Sequence, residues 1–144
     1  MRVHPLPVTD LPPVYISTRH YGRLDQLARI GLPSGHPVAR FLVSELERAI
    51  VCRPEDLPPD VVTPGSRVTF RLDGERSSET RILVYPERYE PSGQCVSVVN
   101  PVGAALLGIR AGNAMPFVDL DGRPVHIRVE RIVFQPETHG PRRD

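Results

Sequence analysis

The sequence predicts an α+β protein: a short N-terminal antiparallel helical hairpin followed by a small, mostly antiparallel sheet with one short helix packed on it. Three observations lead there. Apolar residues recur at three- and four-residue spacing up to about Ile50, alternate with period two from Val68 onward, and are divided by proline- and glycine-rich segments. The length agrees, because 144 residues hold one compact domain plus a modest appendage at roughly 100 to 200 residues per domain. A large multidomain chain is excluded, and an apolar share of 40% suffices for a packed core.

Taken in order, MRVHPLPVTDLPP has no apolar run of secretory-signal length and reads as a flexible segment, residues 1–13. Ser17 or Thr18 can cap a first helix in which Tyr21, Leu24, Leu27 and Ala28 share a face, ending near Ile30 before Gly31. The turn holds Leu32, Pro33, Ser34, Gly35 and His36, and Pro37 opens a second helix whose stripe is Val38, Leu42, Leu46 and Ala49, with Phe41 and Ile50 beside it. The hairpin, a short coiled coil, thus occupies residues 14–52. At 1.5 Å per residue, helices of about 14 residues reach only about 20 Å. Three prolines and three acids in RPEDLPPD make residues 53–60 a linker.

In residues 61–137, Val68 and Phe70 alternate with Thr69 and Arg71, Asp73-Gly74 turns the chain, and Thr80 to Tyr85 returns. A third strand covers Cys95 to Val99. Asn100-Pro101 then forms an N-cap and first-turn pair for a helix with Val102, Ala105, Leu106 and Ile109 on one face. A last hairpin joins Met115–Leu120 to Val125–Phe134 around Asp121-Gly122, and residues 138–144 read as a disordered tail.

Composition narrows the chemistry. A formal net charge of +1 gives no global field toward nucleic acid or an anionic membrane. All 18 basic residues are arginine, which removes lysine-based nucleophiles. Cys52 and Cys95 belong to no metal-ligand spacing and read as reduced thiols of a cytoplasmic protein. The longest nonpolar run, Val102 to Ile109, falls far short of the ~20 residues that span a bilayer. His4, His20, His36, His126 and His139 are dispersed, and no nucleophile elbow occurs near Ser97. GAALLG, from Gly103 to Gly108, has the span of a phosphate loop, but Ile109-Arg110 stands where lysine and a hydroxyl are required, so core packing is the better reading. Glu55, Asp56 and Asp60 read as solvated linker acids rather than a metal cluster. Arg110, Arg123, Arg128 and Arg131 have interleaved acids and are expected to pair locally. No catalytic residue, metal site or cofactor emerges.

The run VSVVNPVGAALLGIRAGN, from Val96 to Asn113, resembles the signature of the carboxy-terminal domain of the Gre transcript-cleavage factors. Within that superfamily, SELERAIVCRPEDLPPDVVTPGSRVTF (Ser44 to Phe70) and RILVYPE (Arg81 to Glu87) are similar to the regulators of nucleoside diphosphate kinase, and the resemblance spans Val14 to Glu137. It implies a Gre-type, FK506-binding-protein-like (FKBP-like) fold over residues 61–137. It also implies a partner, bacterial RNA polymerase, met at the rim of its secondary channel, with DNA reached only through the polymerase. The positions that match the rim-binding residues are Val99, Asn100 and Pro101, with Gly103 beside them. Gre factors usually carry serine or an acid before that proline, where this chain has Asn100.

The resemblance further implies a loss. Gre factors carry two carboxylates at the tip of a long hairpin, which deliver a catalytic magnesium ion, whereas the turn Leu32–Pro33–Ser34–Gly35–His36 contains no acid. The expectation is a monomeric, non-enzymatic transcription regulator that competes with Gre factors without stimulating RNA cleavage, linked to nucleoside diphosphate kinase indirectly through gene expression. The alternatives are an active cleavage-stimulating elongation factor, which acids at the turn would mark, and a peptidyl-prolyl isomerase, suggested by fold analogy alone in a chain without tryptophan.

Overall fold

The computed structural model describes residues 11–139. Two sheets and four helices follow the chain as β1 (Tyr15–Ser17), α1 (Thr18–Gln26), α2 (Ala39–Glu47), β2 (Ile50–Cys52), β3 (Arg67–Leu72), β4 (Glu79–Val84), β5 (Cys95–Ser97), α3 (Pro101–Leu106), β6 (Ala114–Val118), β7 (Pro124–Phe134) and α4 (Pro136–His139). The architecture is the mixed α+β one that the change of period predicts.

The main sheet has the order β5-β4-β3-β7-β6. Every pair is antiparallel except β4 and β5, which run parallel because the chain crosses over through a 3₁₀ turn, Pro86–Arg88, before it enters β5. Val68, Phe70, Ile127 and Val129 point to the α3 side and are at most 1% exposed. The strand β7 bulges twice against β3, once around Glu130 and once around Val133.

The N-terminal helices belong to the same core. Leu24, Ala28, Val38, Leu42 and Leu46 are buried in one cluster with Val62, Leu106, Leu107 and Ile109. Fully burying each leucine contributes about 1.5–3 kcal/mol relative to exposure. The expected stripes therefore face inward, within the molecule. The first helix ends as a π-helical turn, Leu27–Gly31, in agreement with the stop expected at Ile30.

Several expectations need correction. The stretch 14–52 is not helical throughout: α2 ends at Glu47, and Ile50–Cys52 pairs in parallel with Tyr15–Ser17. β-Branched Ile16, Ile50 and Val51 suit extended backbone, and the pairing satisfies backbone groups that a longer helix would leave without partners. Ile50 and Val51 consequently lie half exposed. Ser17 occupies the N-cap position of α1, yet its buried hydroxyl makes no capping hydrogen bond. The third strand stops at Ser97, because the Asn100 amide turns back to the Ser97 carbonyl at 3.0 Å.

Leu11–Pro13, placed by sequence in the flexible 1–13 segment, are docked: Pro12 is buried and its carbonyl accepts from Arg48 at 2.8 Å. Thr138 and His139, placed in the disordered tail, lie in α4, where the Thr138 hydroxyl donates to the Gln135 side chain. The rest of both terminal segments, residues 1–10 and 140–144, lies outside the described residues. The 53–60 segment is anchored: Arg53 pairs with Asp56 at 3.1 Å, Arg110 with Asp60 at 2.9 Å, and the buried Gln135 amide donates to the carbonyls of Pro58 and Val61.

Candidate functional site

The surface expected to carry function is the junction of β5 and α3. Asn100 ends the extended segment (φ −87°, ψ 143°) and its Oδ1 accepts from the Val102 amide at 2.9 Å, while its own carbonyl accepts from the Ala104 amide at 2.8 Å. Pro101 supplies the first helical residue, where the missing N–H costs nothing. With Oδ1 engaged in the cap, the exposed side-chain amide nitrogen is left to present two donors to the surface. An acid at this position would instead offer only acceptors, and a serine a single hydroxyl that can donate or accept.

Gly103 makes the junction possible. A Cβ built there would stand 1.9 Å from the Ser97 carbonyl oxygen, so only glycine lets α3 lie this close to the strand. Gly108, at φ +83°, ends the turn after α3; a Cβ there would meet Val14 at 2.5 Å, and its carbonyl accepts from the Tyr15 amide at 2.8 Å. Ala104, Ala105, Leu106 and Leu107 between these glycines are at most 1% exposed. The GAALLG run is thus core and a seat for β1.

Two hollows flank the junction. One of about 490 Å³ lies over β3, β4 and β5, lined by Phe70, Tyr89, Val99 and Asn100 with the Arg81–Glu79 ion pair. The other, about 380 Å³ and mostly apolar, lies between the start of α2 and β6, lined by Val38, Phe41, Pro101, Phe117 and Val118. Asn100 at the edge of the first hollow and the buried Pro101 at the edge of the second separate them. Val99 is half-buried and Pro101 and Gly103 are buried, so of the four residues singled out by sequence only Asn100 projects freely.

The turn before α2 is exposed at Pro33, Ser34 and Gly35. His36 acts locally, its Nδ1 accepting from the Val38 amide at 3.1 Å. Of the acids on the two helices, Asp25 and Glu47 are engaged by Arg29 at 2.7 and 3.4 Å, and the buried Glu45 by Arg48 at 2.9 Å. Among the described residues, no group of three or more His, Cys, Asp or Glu side chains is placed to hold a metal ion, and no helix is long and apolar enough to cross a membrane. Both cysteines are free, and burial raises the pKa of the Cys52 thiol.

One polar cluster was not readable from sequence. His20 of α1 meets the Tyr85 hydroxyl at 2.8 Å through Nδ1 and Glu137 of α4 at 3.8 Å through Nε2, while Glu137 accepts from the Thr63 hydroxyl at 2.7 Å. The Arg23 guanidinium stacks 3.6 Å from the Tyr85 ring centroid and pairs with Glu87. Burial pushes the Tyr85 hydroxyl up to about 12, so it stays protonated. It can donate to Nδ1, leaving Nε2–H directed at Glu137.

Burial also lowers the His20 pKa below 6.5, against the opposing pull of Glu137 and with repulsion from Arg19 and Arg23. The folded protein therefore favours neutral imidazole. Its contribution to stability is complete above the unfolded value of about 6.5 and is lost as pH falls below it. Thermal melts from pH 8 to pH 5 are expected to show declining stability in the parent and a shallower decline in His20→Gln; equal slopes would remove His20 as the titrating group.

Comparison with known proteins completes the description. The family model for the GreA/GreB transcription elongation factor C-terminus matches residues 57–133, and that for the Rnk N-terminus matches residues 12–51. The chain is 40% identical over 129 residues to the regulator of nucleoside diphosphate kinase of Escherichia coli (strain K12), covering 90% of this chain and 95% of that one. It is 42% identical over 71 residues to transcription elongation factor GreA of Roseiflexus castenholzii, covering 49% of this chain and 45% of that one. Among solved structures, a prokaryotic transcription elongation factor GreA/GreB from Nitrosomonas europaea superposes with a TM-score of 0.68 at 33% identity, covering 85% of this chain and 99% of that one. The Rnk-type N-terminus, the Gre-type C-terminal domain and near full-length similarity agree: the chain belongs to the family of regulators of nucleoside diphosphate kinase, within the wider Gre group.

Proposed function

We propose that this protein is a non-enzymatic transcription regulator that binds bacterial RNA polymerase at the rim of the secondary channel and competes there with Gre factors without stimulating RNA cleavage. The FKBP-like C-terminal domain is the docking unit, with Asn100 and Pro101 at its contact and Val99 and Gly103 shaping the turn beneath them. The N-terminal helices form the short antiparallel hairpin that occupies the channel mouth.

One observation carries this reading. The turn at residues 32–36 has no carboxylate, and the helix acids Asp25, Glu45 and Glu47 are all paired, Asp25 and Glu47 with Arg29 and the buried Glu45 with Arg48. A divalent ion bound for cleavage chemistry needs carboxylate ligands at the tip, and the turn offers none. Reach points the same way: the first helix with its π-helical end runs from Thr18 to Gly31 and the second from Ala39 to Glu47, so neither exceeds about 21 Å at 1.5 Å per residue. A shared docking surface is enough for competition, because at equal affinity occupancy follows relative concentration. Control of nucleoside diphosphate kinase then operates through gene expression, with no kinase contact required.

Titrating the protein into stalled elongation complexes with a fixed amount of Gre factor is expected to suppress transcript cleavage in proportion to occupancy. By itself, with magnesium, it is expected to yield no cleavage. Undiminished Gre-stimulated cleavage at saturation would sink the competition, and shortening of RNA by the protein alone would identify it as an active cleavage-stimulating factor.

A further inference from the structure

The face of the main sheet turned away from α3 has a charge pattern that packing does not explain. Strand register places Arg71 directly opposite Arg128 and Thr69 directly opposite Arg131, with Arg67 two residues along from Thr69 on β3. The four arginines are exposed. Glu130, pushed out at the bulge, is the acid among them, 3.5 Å from Arg71 and accepting from the Ser78 hydroxyl at 2.6 Å. Arg128 donates to the Gly112 carbonyl at 2.9 Å. The side chains of Arg67 and Arg131 make no ion pair or hydrogen bond among the described residues, in contrast to that of Arg110, which is paired with Asp60.

Like charges directly across a ladder destabilise it, so an Arg–Arg pair is a poor choice for a face with no role beyond covering the sheet. The pattern fits an anionic partner. It is unlike a protein interface, whose centre is depleted of charge and built on apolar anchors. Here the centre holds guanidinium groups around the buried Thr69, whose hydroxyl is bonded to that of the exposed Thr80 at 2.8 Å. Protein–nucleic acid interfaces are the polar, strongly positive class.

We propose that this face binds the phosphate backbone of double-helical DNA without reading its sequence. A duplex fits better than a single strand, because single-strand sites rely on a series of aromatic side chains that stack successive bases, and the aromatic in register with the stripe is Phe134, opposite Arg67 at its end. The face is also too wide to enter a groove, which admits a helix or a two-stranded ribbon. Contact is thereby confined to phosphates. From Arg67 to Arg71 the stripe runs about 13 Å along β3 at roughly 3.3 Å per residue, a track suited to the backbone on one side of a duplex. Such contact would be direct, in addition to any approach to DNA through a polymerase.

The test uses the isolated protein and a fluorescein-labelled 20-base-pair duplex, read by anisotropy from 50 to 200 mM salt. Neutralising up to four phosphates gives a slope of log affinity against log salt of up to about −3.6, at roughly −0.9 per contact. The variant Arg67→Gln/Arg71→Gln/Arg128→Gln/Arg131→Gln is expected to bind at least tenfold more weakly with most of that slope lost, while melting at the parent's temperature or above it, since a repulsive pair has gone. Glu130→Gln is expected to tighten binding two- to threefold, and it carries the test by itself should the quadruple variant fold poorly. Unchanged affinity in either variant would overturn the proposal. So would a labelled single strand of equal length binding more tightly than the duplex, or polyglutamate displacing the duplex at equal charge, which would make the partner an acidic protein. No polymerase is present, so this result stands or falls apart from the competition experiment.

Discussion

Gly103→Ala is expected to destabilise the protein by on the order of 3 kcal/mol or more, at or beyond the upper end of ordinary overpacking, and to lower the melting temperature by roughly 10 °C. The added methyl would stand 1.9 Å from the Ser97 carbonyl oxygen and 2.7 Å from its carbon. That carbonyl cannot easily step aside. Ser97 is registered with Val84 in the ladder, the next amide, Val98, donates to Val84 at 2.9 Å, and the oxygen itself accepts from Asn100 at 3.0 Å. The helix must move instead, carrying Asn100 and Pro101 with it, so the variant should lose the shape of the proposed contact together with stability. Gly22→Ala is the control. Nothing lies within 4 Å of a Cβ at Gly22, inside α1, and alanine there is expected to stabilise by about 0.5–1 kcal/mol. A Gly103→Ala protein that melts with the parent would mean that α3 does not lie against β5 as described.

The same residues show how much of the molecule its sequence discloses. Proline and glycine punctuation located both helices of the N-terminal block, the first hairpin of the sheet and the start of α3, because each boundary has a local cause: a missing donor, a required turn, a cap. The β1–β2 pairing has no local cause of that sort. Three residues are too few for periodicity, and their partners lie 35 positions away in the register Tyr15 to Ile50. The contact of His20 with Glu137 likewise joins opposite ends of the chain and depends on where α4 docks.

The basic face was hidden for a sharper reason. Simple alternation puts Arg128 and Arg131, three apart, on opposite faces of a strand. The bulge around Glu130 shifts the register by one and brings both to the outside, opposite Arg71 and Thr69. Interleaved acids in the sequence suggested local pairing for Arg110, Arg123, Arg128 and Arg131. The structure bears this out for Arg110 with Asp60, while the Arg131 side chain remains without a partner among the described residues.

Asn100→Asp combined with Pro101→Ala is expected to weaken capture of RNA polymerase on the order of a hundredfold, since central interface anchors are worth about 1–3 kcal/mol each when truncated. The choice of aspartate separates interface from fold. Aspartate caps a helix about as well as asparagine, so the bond that Oδ1 accepts from Val102 is retained and α3 keeps its start. What changes is the outward group: two amide donors become a carboxylate oxygen, which can only accept. A polymerase surface that supplies an acceptor to Asn100 should then reject the variant, and full capture by Asn100→Asp alone would overturn the assignment of the Asn100 amide nitrogen to the contact. Asn100→Ala, by contrast, removes the cap as well and should cost about 1 kcal/mol of stability, so its binding loss would mix two causes. Pull-down of core polymerase by each single variant and by the pair, beside their melting curves, distinguishes these outcomes. Full capture by the double variant would move the proposed contact away from Asn100 and Pro101.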